Sequence, residues 1–466
     1  MRQETPQHNW WTLVAVCGAT FMLLVDITIV QVALPRIHDD LHASFTQLQW
    51  VLDAYALSLA SLLLTYGTLA DRFGRKRVFV TGVAVFTLAS LLCGVSGSGL
   101  QLDLARAFQG LGGAAMFTTA LALIAQDFSG HARGTAIAFW GATVGGAVAV
   151  GPVLGGALTD GLNWRWIFFV NLPIGAAVLA ICAVRMANVV DPHTEHLDLG
   201  GLVTFSGALL LLVLALLRGN DKGWSSGLIV GLFAGAAVLL VLFVAVELRQ
   251  QRPMFDLSLF RNAAFCGVSV ATFAIGAGMF AAFPYITLYL QNLLGYSPLQ
   301  GGLRLLPATV LVFFVPILGR RFGKAVPSAV MLGVGMTLVA VGLLLMSRVA
   351  NDSHWTVLLP GLLLAGAGIG LSNPTIAHVA LAVVAPNRSG MASGINNTFR
   401  IGGVATGVAL LGAVLQHRVA NSVIAAGPRT PGQHRGFVLG THELLLVGMG
   451  LTVAGALAAF AFIRDV

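Results

Sequence analysis

The sequence predicts an all-α protein that crosses a membrane many times, and three observations carry that expectation. Hydrophobic residues fill 57% of its 466 positions and charged residues only 9%, whereas a soluble domain carries about 25% charged residues because its surface faces water. The mean hydropathy is +0.86. The apolar stretches are long and unbroken rather than alternating, and in lipid only helices or closed barrels satisfy the backbone, so helices are expected.

A membrane-crossing helix needs about 20 mostly apolar residues. Segments of that kind fall at 11–33, 46–69, 78–97, 101–125, 135–158, 166–187, 200–217, 227–247, 264–291, 298–318, 326–347, 357–382, 391–416 and 440–463, fourteen in all. The first follows MRQETPQHNWW, which lacks the basic start and small-residue cleavage site of a signal peptide, so it is expected to stay as a helix. Cys17, Cys93, Cys182 and Cys266 all lie inside apolar segments without metal-ligand spacing and read as small core residues.

The net charge of +8 is spread in short clusters between apolar segments, as at Arg72, Arg75, Lys76 and Arg77, or at Arg320, Arg321 and Lys324. That is how topology is set in a membrane, and it argues against a nucleic-acid partner. Placing both termini in the cytoplasm puts most of the basic residues on that side. Arg72-Phe73-Gly74-Arg75 follows the second segment, and Arg321-Phe322-Gly323-Lys324 follows the tenth. This repeat implies two six-helix halves, 1–190 and 253–466, with an inserted hairpin, helices 7 and 8, within 191–252. Transporters with duplicated halves hold their substrate near the midplane between the repeats.

Charges inside spans mark pathways or paired sites, because an aspartate at a helix centre costs about 2.5–3.5 kcal/mol on insertion scales. Asp26, Asp53 and Arg106 lie about 12, 10 and 8 Å from the outer ends of their helices at 1.5 Å per residue. All three fall at the same level of the first half. The set fits either a carboxylate–guanidinium proton switch or a structural ion pair joining helices 1, 2 and 4. Asp71, in the basic loop after the second segment, can bond free amides at a helix N-terminus or pair with an arginine such as Arg133. A gating latch and a plain topology signal both fit it. In the second half, Arg400 within Asn396-Asn397-Thr398-Phe399-Arg400 fits a cavity wall or an interhelical pair, with Arg304 and His378 as further polar groups. Phe273, Phe280, Phe283, Tyr285 and Tyr289 would suit an apolar ligand, although lipid-facing or core packing also accounts for them.

No Gly-x-x-x-x-Gly-Lys-[Ser/Thr] loop and no HExxH pattern occur, which argues against an ATP-driven pump or a membrane enzyme. No cofactor or metal is expected. An ion gradient is left as the energy source.

Gly67-Thr-Leu-Ala-Asp71-Arg72-Phe-Gly74-Arg75-Lys76-Arg77, taken with the motifs that follow, resembles the signature loop of the major facilitator superfamily, and together they resemble its fourteen-helix drug:proton antiporters over nearly the whole chain. Leu24-Val-Asp26-Ile-Thr28-Ile-Val-Gln31-Val-Ala-Leu-Pro35 is close to a drug-exporter motif, with Gln31 in place of the usual Asn. Arg106-Ala-Phe-Gln109-Gly110 resembles the proton-linked arginine motif. Gly151-Pro152-Val-Leu-Gly155-Gly156 resembles the antiporter motif, although Ala147 stands where an upstream glycine is usual. Trp164-Arg-Trp-Ile-Phe-Phe-Val-Asn171-Leu-Pro173-Ile-Gly175 is a further family-like stretch.

The resemblance implies a major facilitator fold with an inserted hairpin, and proton-coupled export of small amphipathic drugs or antibiotics by alternating access. A proton symporter or uniporter of another solute on the same fold is the alternative. Asp26, Asp53 and Arg106 would couple protons. Asp71, Arg72, Gly74, Arg75 and Arg133 would gate. Gly151, Pro152, Gly155 and Gly156 would form the antiporter motif, for which ordinary tight helix packing is the competing account. Tyr55, Gln109, Phe280, Tyr285, Tyr289, Asn397 and Arg400 are the candidate cavity residues. The expected partners are a small amphipathic substrate, protons and the lipid bilayer, with the chain a monomer in a bacterial inner membrane.

Overall fold

A computed structural model of the chain describes residues 9–43, 45–186, 198–250, 255, 257–319, 326–350, 354–384, 389–426 and 431–463. The second copy of the repeat, Arg321 to Lys324, and the segment from Asp191 to His196 lie outside the described residues.

The first apolar segments form α1 (Trp10–Leu41), α2 (Phe45–Phe73), α3 (Arg75–Gly94), α4 (Gly99–Asp127) and α5 (Gly130–Gly161). The short α6 (Trp166–Phe169) leads into α7 (Asn171–Arg185), and the hairpin region gives α8 (Leu199–Lys222) and α9 (Gly227–Glu247). The rest comprises α10 (Ala263–Ile275), α11 (Ala281–Leu288), α12 (Pro298–Gly319), α13 (Ser328–Met346), α14 (Leu359–Ala382), α15 (Ser389–Ala426) and α16 (Pro431–Phe462). Among the described residues 13 helices are long and apolar enough to cross a membrane. The segment expected at 135–158 lies in α5, which spans 32 residues and is not one of the 13.

Two departures from the sequence expectation bear on the site. The second segment, expected to stop at 69, runs on to Phe73, so Asp71 sits on a helix and not in a loop. The break is Gly74 alone, whose φ of 95° is a left-handed conformation that glycine adopts without a Cβ penalty. The ninth segment is interrupted. Gly276–Phe280 and Tyr289–Leu293 are π-helical turns flanking α11. Pro284 lies inside α11; it has no amide to give Phe280 and its ring crowds that carbonyl, so the preceding turn widens.

The chain divides into two compact units. The first comprises Met1–Leu210, Ala236–Ser258 and Ala380–Thr398, and the second Leu211–Gly235, Leu259–Val379 and Phe399–Val466. In the first unit α4 is the central helix, with 83% of its most apolar window buried, packed chiefly against α2 and α3 while α1 packs on α5. In the second unit α16 packs on α13 and α10. By contrast α9 is apolar all round and largely exposed, which is the signature of a helix facing lipid.

The first unit alternates in direction helix by helix. Asn9 at the start of α1 donates to the Arg185 carbonyl at the end of α7, Thr12 bonds Asp127 at the end of α4, and Lys76 at the start of α3 reaches the Met186 carbonyl. At the opposite rim Asp40, near the end of α1, accepts from Trp164 Nε1 at 3.0 Å and from Arg165. Arg165 also donates to the Ser96 carbonyl between α3 and α4 at 3.2 Å. These two donors hold the Asp40 carboxyl below its ordinary pKa, the Trp164 hydrogen bond contributing most.

Candidate functional site

Six helices of the first unit converge on one carboxylate. Asp26 on α1 is fully buried and forms an ion pair with Nη1 of Arg106 on α4, itself only 1% exposed. The other carboxylate oxygen accepts from Gln109 Nε2 at 2.9 Å and from Asn171 Nδ2, on α7, at 3.2 Å. Ser90 on α3 accepts from the same two amides, at 2.8 and 3.2 Å. Arg106 Nε donates to the Val51 carbonyl of α2 at 2.9 Å, and Nη1 also reaches Gln109 Oε1 at 2.6 Å. The guanidinium lies over two rings, with centroids at 4.2 Å for Tyr55 and 5.9 Å for Phe168 of α6.

The spacing explains the convergence. Arg106 and Gln109 are three apart on one helix, so both side chains face the same neighbour. Gly110 follows, and a Cβ there would meet the Tyr55 carbonyl at 2.5 Å, so its absence lets α4 lie directly on α2. Chemically the site is a buried acid held by an arginine and two side-chain amides. Removing one charge of such a buried pair costs about 3–5 kcal/mol when a partner is deleted.

Asp53 lies on α2 with Val51 and Tyr55. Its charge acts on Asp103, near the start of α4, and one oxygen of Asp103 has no hydrogen-bond partner among the described residues.

At the other end of α2, Asp71 accepts from the backbone amides of Gly390, at 3.2 Å, and Met391, at 3.0 Å. Both belong to the first turn of α15, whose leading residues to Thr398 cluster with the first unit. The arginine on Asp71 is Arg75 at 3.3 Å, four residues on, rather than Arg133. One helical turn puts Arg75 directly over Asp71, whereas Arg133 on α5 lies close enough to feel the charge of Arg75. Arg72 covers the Phe73 ring at 5.1 Å. Ser393 and Asn397, further along α15, donate to the Thr118 and Phe117 carbonyls at 2.6 and 3.3 Å.

The glycines of α5 lie against α1. A Cβ on Gly151 would overlap the Thr28 hydroxyl, and one on Gly155 would meet the Ile29 carbonyl at 3.0 Å. This contact begins two residues after Asp26. Gly156 is buried too, while the side chain of Pro152 lies outside what the structure describes.

The candidate cavity residues divide between the two units. Tyr55 and Gln109 belong to the Asp26 cluster, and Asn397 to the Phe117 contact. In the second unit, Arg400 donates to Asn373 Oδ1 at 2.9 Å and lies 5.9 Å from the Phe280 ring. Tyr285 donates to the Val408 carbonyl at 2.7 Å and lines a cavity of about 250 Å³ with Asn220, Gly412 and Gln416. Tyr289 is 1% exposed, its hydroxyl without a hydrogen-bond partner among the described residues. Ser90 and the contact role of Asn171 are additions that the sequence did not signal.

Comparison with known proteins places this geometry in context. A family model described as Major Facilitator Superfamily matches residues 16–408. The tetracenomycin C resistance and export protein of Streptomyces glaucescens is 33% identical, covering 97% of this chain and 90% of the relative. The puromycin resistance protein pur8 of Streptomyces alboniger is 35% identical over 99% of this chain and 92% of its own. The multidrug resistance protein Stp of Mycobacterium tuberculosis (strain CDC 1551 / Oshkosh) is 37% identical over 87% and 75% respectively. Among solved structures, the proton:xylose symporter XylE superposes with a TM-score of 0.68 at 13% identity, covering 98% of this chain and 96% of that one. The human organic anion transporter MFSD10 gives 0.66 at 15% identity, covering 96% and 100%. At such identities the two structures establish the fold alone.

Proposed function

The chain belongs to the Major Facilitator Superfamily as a multi-pass membrane transporter, and from that premise we propose that it is a proton-coupled antiporter exporting small amphipathic drugs or antibiotics across the cytoplasmic membrane. The observation that carries the proton assignment is the buried Asp26–Arg106 pair. Export is supported by relatives named for resistance and export.

The cluster suits a reversible proton site because little besides the ion pair is lost when Asp26 takes a proton. The neutral acid still accepts from Gln109 and Asn171, and Arg106 still donates to Val51 and Gln109. This matters for magnitude. A charge crossing 100 mV supplies about 2.3 kcal/mol, less than the roughly 3–5 kcal/mol of an uncompensated buried charge. The difference is made up by a rearrangement that gives Arg106 another partner or water, which is how arrival of a proton would drive the cycle. Asp71, fixed to the first turn of α15, is the second moving part, a latch that holds one state of the transport cycle.

In this reading α5 completes a fourteen-helix arrangement, with α8 and α9 the inserted hairpin and both termini cytoplasmic. The proton gradient is the energy source, without cofactor, and the working unit is a monomer. Reconstitution tests the proposal. Proteoliposomes with an imposed pH gradient should move ethidium or puromycin in exchange for protons, and a pump-deficient host should gain resistance. Transport that is indifferent to the pH gradient overturns the coupling.

A further inference from the structure

Arg106 and Arg400 are the two most deeply buried arginines among the described residues, and their surroundings differ. Arg106 has the carboxylate of Asp26. Arg400, 4% exposed on α15, has Asn373 Oδ1 on Nη1 and the Phe280 ring at 5.9 Å. Its Nε and Nη2 donate to no acceptor among the described residues, and Asn373 Nδ2 is likewise without a partner there. All these residues belong to the second unit.

The stretch of sequence around Arg400 supplies little that could neutralise it. Between Asp256 and Glu443 the chain contains one acid, Asp352, which lies outside the described residues. The candidate spans from Ala263 to Val419 contain none. Glu443 is held by Arg418 at 2.7 Å. Arginine does not shed its proton under physiological conditions, so a buried guanidinium without a counter-charge is strongly unfavourable. Ionisable groups kept inside a membrane at such cost mark function and call for a partner.

The atoms left open define that partner. Nε and Nη2 form the side edge of the guanidinium, two parallel N–H groups spaced to meet both oxygens of a carboxylate. Asn373 Nδ2 adds a third donor. Every open group here is a donor, so a cation or a neutral amine finds no acceptor. Phe280 ends the π-helical turn Gly276–Phe280, a type of turn frequent at functional sites. That turn lies directly on α15, since a Cβ at Gly276 would meet the Arg400 carbonyl at 2.6 Å.

We infer that Arg400, Asn373 and Phe280 form an anion-recognition site, and that the substrates include amphipathic organic acids whose carboxylate takes the Nε/Nη2 edge. Phe280 flanks the bound anion with an apolar ring. Use of the word substrate rests on the export reading above; the binding of the anion does not.

Fluorescence titration of the full-length protein in detergent with 2-anthracenecarboxylate and its uncharged carboxamide tests the site. Wild type should bind the carboxylate about tenfold or more tighter, the worth of hydrogen bonds between charged groups. Arg400→Gln should reduce that preference to about twofold or less, and Arg400→Lys, a point donor, should fall between. Asn373→Asp places a carboxylate on Nη1 and satisfies the arginine internally, so it should fold as well as wild type and lose the preference. Equal binding of the two probes by wild type, or an undiminished preference in Asn373→Asp, overturns the inference. So does a melting temperature raised by chloride over gluconate in an Arg400-dependent way without any carboxylate preference, which would make this an inorganic-anion site. Ethidium efflux measured in parallel separates the two claims: efflux without carboxylate preference removes the anion site and leaves export, whereas preference without efflux does the reverse.

Discussion

Asp26 and Arg106, 80 residues apart in the chain, form an ion pair in which neither side chain is more than 1% exposed. Gln109 ties the pair together, donating to the acid and accepting from the base. Asp26→Asn removes the titratable group while keeping its shape. It should reduce pH-gradient-driven efflux in proteoliposomes by at least about tenfold, as an amide carries no exchangeable charge. It should also lower thermal stability, since it leaves Arg106 buried without its counter-charge, a change worth about 3–5 kcal/mol. Full gradient-driven efflux by the variant refutes the assignment.

The two charged members of that pair were legible in the sequence because charge in an apolar run is costly and so stands out. Ser90 was not, for a serine in an apolar helix ordinarily bonds its own preceding turn, as Ser90 does to the Phe86 carbonyl. Asn171 was quoted within a family-like stretch without a partner to give it meaning. Hydropathy located the helices, yet it fades at the membrane edge while backbone hydrogen bonding continues, so α2 outran its expected end and carried Asp71 with it.

Asp71→Asn tests the latch. The carboxylate accepts from two amides of α15 and from Arg75, and an asparagine keeps one acceptor oxygen without the charge. Losing a charge-assisted hydrogen bond is worth about 1.5–3 kcal/mol, enough to cut turnover roughly tenfold. Substrate affinity should stay within a few-fold of wild type, because Asp71 lies 18 residues beyond Asp53 on the same helix, roughly 27 Å at 1.5 Å per residue. Equilibrium binding in detergent set against efflux rate in vesicles decides it. A large loss of affinity with normal turnover would place Asp71 in a binding site.

Gly151→Ala should disturb the α1–α5 contact, since its new methyl would overlap the Thr28 hydroxyl. Overpacking of a tight contact costs about 1–3 kcal/mol, to be read as a lower melting temperature and reduced efflux. Thr28→Ala removes the hydroxyl and should restore part of both in the double variant, a coupling expected of residues in contact. Additive losses in the double-mutant cycle would mean the two helices do not meet there.

The rim contact at Asp40 predicts a pH window. Asp40 lies beyond the candidate span Trp10–Leu34, and its carboxyl is held below the ordinary value of 3.8 by Trp164 and Arg165. A group whose pKa is depressed by folding binds fewer protons folded than unfolded, so its contribution is complete above the unfolded pKa and fades as pH falls through the folded one. The comparison is Asp40→Asn, which keeps an oxygen for Trp164 and Arg165 but carries no charge. Wild type should melt higher than the variant by a small, constant margin from about pH 6 to pH 8. That margin should shrink as the pH drops below about 4, and it should also shrink with added salt because the pair is partly exposed. A margin that grows on acidification, or one that ignores pH altogether, would show that the ionised carboxylate does not clamp the end of α1 to the Trp164–Arg165 corner.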